Sequence, residues 1–115
     1  MNHRSATVEE LEQLTGLFRL LSDKTRLNIL FLLVDGERNV TGLCESLHLP
    51  QPTVSHHLGL LRTHNVIANR RSGKQIFYAL ERGVDVGDHS SMQLNVADYC
   101  IRIGPAPAQE PAPAA

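Results

Sequence analysis

Between Ser46 and Leu80 the chain contains no Asp or Glu, yet it carries Arg62, Arg70, Arg71, Lys74 and four of its six histidines. That stretch contributes +4 of formal charge. The other 80 residues hold 7 basic and 12 acidic side chains, so a net charge of −1 conceals a polarised molecule. Phosphate groups respond to local positive charge rather than to the net charge of a whole protein. Interleaved with the basic residues are Gln51, Thr53, Ser55 and His56, whose amide, hydroxyl and imidazole groups suit base edges and phosphate oxygens. The chemistry these types support is non-covalent recognition of double-stranded DNA.

Other chemistries fare worse on the same residues. His56 and His57 are adjacent, so on a helix they point about 100° apart and cannot converge on one ion. His57 and His64 share a face but stand about 10 Å apart along the axis, whereas zinc needs ligands at about 2 Å. No metal site is expected there, and His57 reads as a hydrogen-bonded shoulder of the core. A Gly-rich phosphate loop, a nucleophile motif and a Cys-x-x-Cys pair are all missing from the sequence, so neither an enzyme nor a bound cofactor is expected.

The elements that must position these residues follow from periodicity and caps. Thr7 followed by Glu10 fits a capping box, opening a first helix from about Val8 to Leu21 with Leu11, Leu14, Phe18 and Leu21 at helical spacing. Ser22 and Asp23 read as the cap of a second helix, apolar nearly all round from Leu27 to Val34 and therefore central to the core. Asp35-Gly36 stops it. A short third helix, about Val40 to Leu47 with Asn39 as its cap, is interrupted at His48-Leu49-Pro50. Pro52 then sits in the first turn of a fourth helix that runs to about His64, completing a helix-turn-helix. Val66 to Asn69 and Gln75 to Leu80 are β-prone runs joined by the loop Arg70-Arg71-Ser72-Gly73-Lys74, a hairpin or wing over about residues 66–80.

On a wheel of the fourth helix Val54, Leu58 and Leu61 form the packing side, while Pro52, His56, Gly59 and Thr63 lie opposite, flanked by Thr53 and Ser55. The N-terminal part of such a helix meets bases in most helix-turn-helix proteins. Gln51, Thr53, Ser55 and His56 are therefore the expected base-reading residues. Arg62, Arg70, Arg71 and Lys74 are expected on phosphates or in the minor groove.

A length of 115 residues fits one domain with a single, largely aliphatic core, since Trp is absent and aromatics make up 4%. The expected organisation is a flexible N-terminus at residues 1–6, a winged helix-turn-helix domain over 7–103, and a disordered Pro/Ala-rich tail over 104–115. Met92 to Val96 alternates apolar and polar residues, and Tyr99, Ile101 and Ile103 continue at spacing two, which predicts strand. The longest apolar run, Ile29 to Val34, is six residues, too short to span a bilayer. A cytoplasmic protein with reduced thiols at Cys44 and Cys100 is expected, with no membrane partner. The fold class is mainly α with a small β-hairpin, the C-terminal segment being β.

The runs LSDKTRLNILFLL, LCESLHLPQPTVSHHLGLLR and RRSGKQIFYAL resemble the ArsR/SmtB family of winged-helix repressors over about residues 11 to 80. The resemblance implies a homodimer that binds a palindromic operator and leaves it when an inducer binds. It also implies that Ser55, His56, Arg70, Arg71 and Lys74 face the DNA. Metal-sensing members often carry Cys-Val-Cys in the third helix, where this chain has Asn39, Val40 and Thr41. Where others place metal ligands on a C-terminal dimer helix, this chain offers Asp85, Asp88 and His89 and no second His pair. Some relatives sense oxidants through paired thiols, so Cys44 and Cys100 are either a redox pair or two separate inert thiols. Dimerisation is expected mainly through the stripe Leu11, Leu14, Phe18 and Leu21 of the first helix. The alternative to a DNA reader is a winged-helix module that binds a protein partner, which would call for large apolar anchors on the outward face of the fourth helix.

Overall fold

The computed structural model describes residues 5–81 and 91–108. Four helices come first: α1 (Val8–Leu21), α2 (Lys24–Val34), α3 (Val40–Leu47) and α4 (Gln51–Thr63). The strands are β1 (Arg38–Asn39), β2 (Ile67–Ser72), β3 (Gln75–Leu80), β4 (Met92–Val96) and β5 (Tyr99–Ile103). The helix starts have local causes. Glu10 N–H donates to Thr7 Oγ1 at 3.1 Å and Thr7 N–H donates to Glu10 Oε1 at 3.0 Å, completing the capping box of α1. Arg26 N–H donates to Asp23 Oδ1 at 2.9 Å and caps α2. His48 closes α3 in the left-handed region at φ 55°, and Pro52 occupies the first turn of α4.

Asn39 does two jobs. Its Oδ1 accepts from Gly42 N–H at 2.8 Å to cap α3, and its Nδ2 donates to Gln75 Oε1 at 3.3 Å. A Cβ on Gly42 would stand 3.1 Å from that same Oδ1, so the close cap favours glycine there. Asn39 also ends β1, a strand that periodicity did not announce. β1 pairs antiparallel with β3, Arg38 opposite Tyr78 and Asn39 opposite Phe77, giving a sheet of order β1-β3-β2.

Two expectations need correction. The wing was expected to carry Arg70, Arg71 and Ser72 in its loop, but β2 runs on through all three, with Arg70 opposite Phe77 and Arg71 opposite Ile76. The turn is Gly73-Lys74, with Gly73 at φ 63°, because a two-residue turn with a positive φ matches the twist of paired strands. The four-residue stripe expected on α1 also divides. Leu21 is buried with Leu17 and Leu20 in the core, Leu14 is half-buried, and Leu11 and Phe18 are exposed beside Val8. With apolar residues on two sides of one helix, spacing alone could not assign them to an inner and an outer face.

The core runs from Leu17, Leu20 and Leu21 through Ile29, Leu30, Leu33 and Val34 to Leu43, Val54, Leu58 and Leu61, and then Val66 and Ile67. The C-terminal strands form a separate hairpin, β4 against β5, turning at Ala97 with φ 52°. Met92 and Leu94 on its inner side are completely covered, and β4 lies against α1. The alternation seen in the sequence therefore reports a real buried face. Residues 5–6 and 104–108 carry no helix or strand. Asp85, Asp88 and His89, the first four residues and residues 109–115 lie outside the described residues. No helix among the described residues is long and apolar enough to cross a membrane.

Candidate nucleic-acid interface

α4 buries Val54, Leu58 and Leu61 and leaves Gln51, Pro52, Ser55, His56, Gly59, Arg62 and Thr63 exposed, with Thr53 intermediate. Gln51, Ser55 and His56 thus stand outward on the first two turns. Arg62 continues the Ser55 face two turns further on. Thr63 is exposed, but its hydroxyl donates to Gly59 O at 2.8 Å. A cleft of about 160 Å³ brings Gln51 of α4 together with Lys74 and Gln75 of the wing and with Thr41 at the start of α3. Two of the expected DNA-facing residues, far apart in sequence, are brought together there.

A methyl group at Gly59 would meet no protein atom within 4 Å. Gly59→Ala is therefore expected to stabilise the fold by about 0.5–1 kcal/mol through helix propensity. It should weaken DNA binding, because the added Cβ stands where the backbone would approach a groove. Urea unfolding and operator titration of the one variant check both halves.

The wing's three basic residues are not equivalent. Arg71 and Lys74 are exposed and have no ion pair among the described residues. Arg70 Nε donates to Glu37 Oε2 at 2.7 Å, its Nη2 donates to Glu37 Oε1, and its guanidinium lies 4.8 Å from the centre of the Phe77 ring. The fork is used on the protein itself, tying β2 to the loop before β1. Arg70 holds the Glu37 carboxyl below its ordinary range, first by side-chain hydrogen bonding and then by charge. Glu37 in turn raises the Arg70 pKa. A carboxyl lowered in the folded state contributes its stability above the ordinary carboxylate range and loses it as pH falls through the folded value. The pair therefore holds at neutral pH and opens in acid. Sequence reasoning missed this contact, since nothing local links positions 37 and 70.

His57 is the hydrogen-bonded shoulder that the wheel suggested. Its Nδ1 lies 3.3 Å from Arg26 Nη1 and 4.0 Å from Asp23 Oδ1, and the side chain is 15% exposed. Arg26 also donates from Nε to Leu20 O at 2.7 Å, so one guanidinium links the end of α1, the cap of α2 and the recognition helix. Asp23 sits below the usual carboxylate range, chiefly because the Arg26 backbone N–H donates to it and secondarily through the charges of Arg26 and His57. Cys44 is half-buried on α3 and Cys100 is exposed on β5; both are free thiols on separate elements.

Comparison with known proteins agrees with this geometry. The model of the family described as bacterial regulatory protein, arsR family, matches residues 23–68, from the α2 cap into β2. The chain is 45% identical over 65 residues to the regulator KmtR of Mycobacterium tuberculosis, covering 56% of this chain and 50% of that protein. It is 35% identical over 71 residues to the transcriptional repressor SdpR of Bacillus subtilis, covering 62% of this chain and 79% of the relative. Some curated relatives are therefore matched over only about half their length. Among solved structures, HlyU from Vibrio cholerae superposes with a TM-score of 0.62 at 29% identity, over 65% of this chain and 82% of that one. The homodimeric winged helix-turn-helix DNA-binding domain Mb0332 from Mycobacterium bovis gives 0.61 at 28% identity, over 70% and 75%. With its helix-turn-helix under the family model and SdpR matched over most of its length, the chain belongs to the ArsR family of bacterial regulatory proteins.

Proposed function

We propose that the chain is a sequence-specific DNA-binding transcriptional repressor, acting as a homodimer on a palindromic operator and released from it by a signal. The observation that carries this reading is the outward face of α4: Gln51, Ser55, His56, Gly59 and Arg62 are exposed, with no acid and no large apolar anchor among them. Such a face suits a major groove and suits a protein partner poorly. Arg71 and Lys74 flank it with no ion pair among the described residues, and Arg70 ties the wing that carries them to Glu37. Gel shifts with DNA from the chain's own promoter test the reading: a discrete complex that resists competition by unrelated DNA is expected, and equal competition would refute it.

Arg71→Ala should weaken binding to every sequence alike and reduce the slope of log K against log salt by about one, the signature of one lost phosphate contact. An unchanged slope in salt titrations would remove Arg71 from the interface.

Two findings support the dimer. Val8, Leu11 and Phe18 are 73%, 50% and 56% exposed on α1, more apolar surface than a helix of a monomer usually shows. The Mycobacterium bovis relative is itself homodimeric. Twofold symmetry would set two α4 helices about 34 Å apart, one DNA turn. Phe18→Glu should leave the monomer folded, since Phe18 is not part of the core, while shifting sedimentation from dimer to monomer at micromolar concentration. A variant that stays dimeric would move the interface elsewhere.

A further inference from the structure

Between α1 and the end of α4 lies a depression of about 260 Å³, walled by Gly16, Arg19, Leu20, Arg26, Leu60 and His64. Three of the six wall residues are basic and none is acidic; Glu12 lines the adjoining groove that shares Gly16 and His64, and the Asp23 carboxylate lies 3.8 Å from Arg26 Nη1. We propose that this depression binds a small oxyanion, a phosphate or a carboxylate, and that binding there shifts the recognition helix.

The donors are specific. Arg26 is a mostly buried guanidinium, 16% exposed, held at Nε by Leu20 O and at Nη1 by His57 and Asp23. Its Nη2 has no partner among the described residues. Arg19 is exposed and has no ion pair among the described residues. A planar fork is the side-chain geometry that best matches phosphate and carboxylate oxygens. His64 adds a third donor under one condition. Its Nδ1 lies 3.0 Å from Leu60 O, and a carbonyl only accepts, so Nδ1 carries a proton and Nε2 donates only when the ring is protonated. Gly16 leaves room over the site, as a Cβ there would meet nothing within 4 Å.

The position links binding to regulation. Arg26 ties Leu20 at the end of α1 to His57 in the middle of α4, and Leu60 and His64 belong to the last turns of the recognition helix and its cap. An oxyanion that draws on Arg26 pulls on the contact that sets α4 against α1. At about 100° per residue Gly16 and Leu20 stand about 140° and 180° round α1 from Leu11, whereas Arg19 stands about 80° from it and also lines a groove with Phe18. The regulatory half rests on the DNA-binding reading; the binding half does not.

The test titrates inorganic phosphate and, separately, succinate into the isotope-labelled full chain at constant ionic strength, with operator anisotropy measured in parallel. Saturable amide shifts at Gly16, Arg19, Leu20 and His64 are expected in the wild type. Arg19→Gln should weaken them by about tenfold and Arg19→Lys by less. Saturating oxyanion should change the wild-type operator Kd by about fivefold and leave that of Arg19→Gln unmoved. No saturable shift with either anion overturns the site, and shifts with an unchanged operator Kd overturn its regulatory role. An Arg19→Gln variant that loses one unit of salt slope with no anion added would make the residue a contact to the DNA backbone, and that also overturns the proposal. Anion binding in a wild type that binds no operator would support the site while refuting the DNA-binding reading.

Discussion

Alanine at both Ser55 and His56 is expected to bring operator binding down towards the non-specific level, each lost base contact costing about 1–3 kcal/mol. Both side chains are exposed on the first turns of α4, away from Val54, Leu58 and Leu61, so the thermal midpoint should stay close to wild type. The salt slope should also hold, because the expected phosphate contacts are Arg62, Arg70, Arg71 and Lys74. Competition titrations against operator and scrambled DNA measure the effect. Full discrimination in the double variant would show that another surface reads sequence.

Leu58→Ala should do the reverse. Leu58 is 1% exposed, packed in the one core that joins α2, α3 and α4. Truncating it removes the transfer energy of the lost atoms and leaves a void, a cost of about 2–5 kcal/mol. In a domain of this size each kcal/mol lowers the midpoint by roughly 4–8 °C. Calorimetry is the measurement. A change below about 1 kcal/mol would mean that α4 is not seated by this face.

What the sequence disclosed was local. Thr7 with Glu10, Asp23 before Lys24, and Pro52 in a first turn each satisfy backbone groups within a few residues, so the helix starts could be read directly. The C-terminal strands were legible for the same reason: Met92 and Leu94 alternate with polar neighbours and are buried against α1. The expected face of α4 needed only a helical period. What escaped was non-local. β1 is two residues long and exists because β3 pairs with it. The Arg70–Glu37 pair could not be read because Glu37 is brought to Arg70 only by the sheet. The loop assigned to Arg70, Arg71 and Ser72 was strand because pairing with Phe77, Ile76 and Gln75 outweighed their polar composition.

The central claim is that α4 and the wing tip meet DNA together. Amide chemical-shift mapping of the labelled protein with its own promoter DNA tests it most directly. The account predicts perturbations concentrated at Gln51, Thr53, Ser55, His56 and Gly59 and at Arg71 and Lys74, with Met92 to Val96 unmoved. Perturbations centred on β4 and β5, with α4 silent, would contradict it.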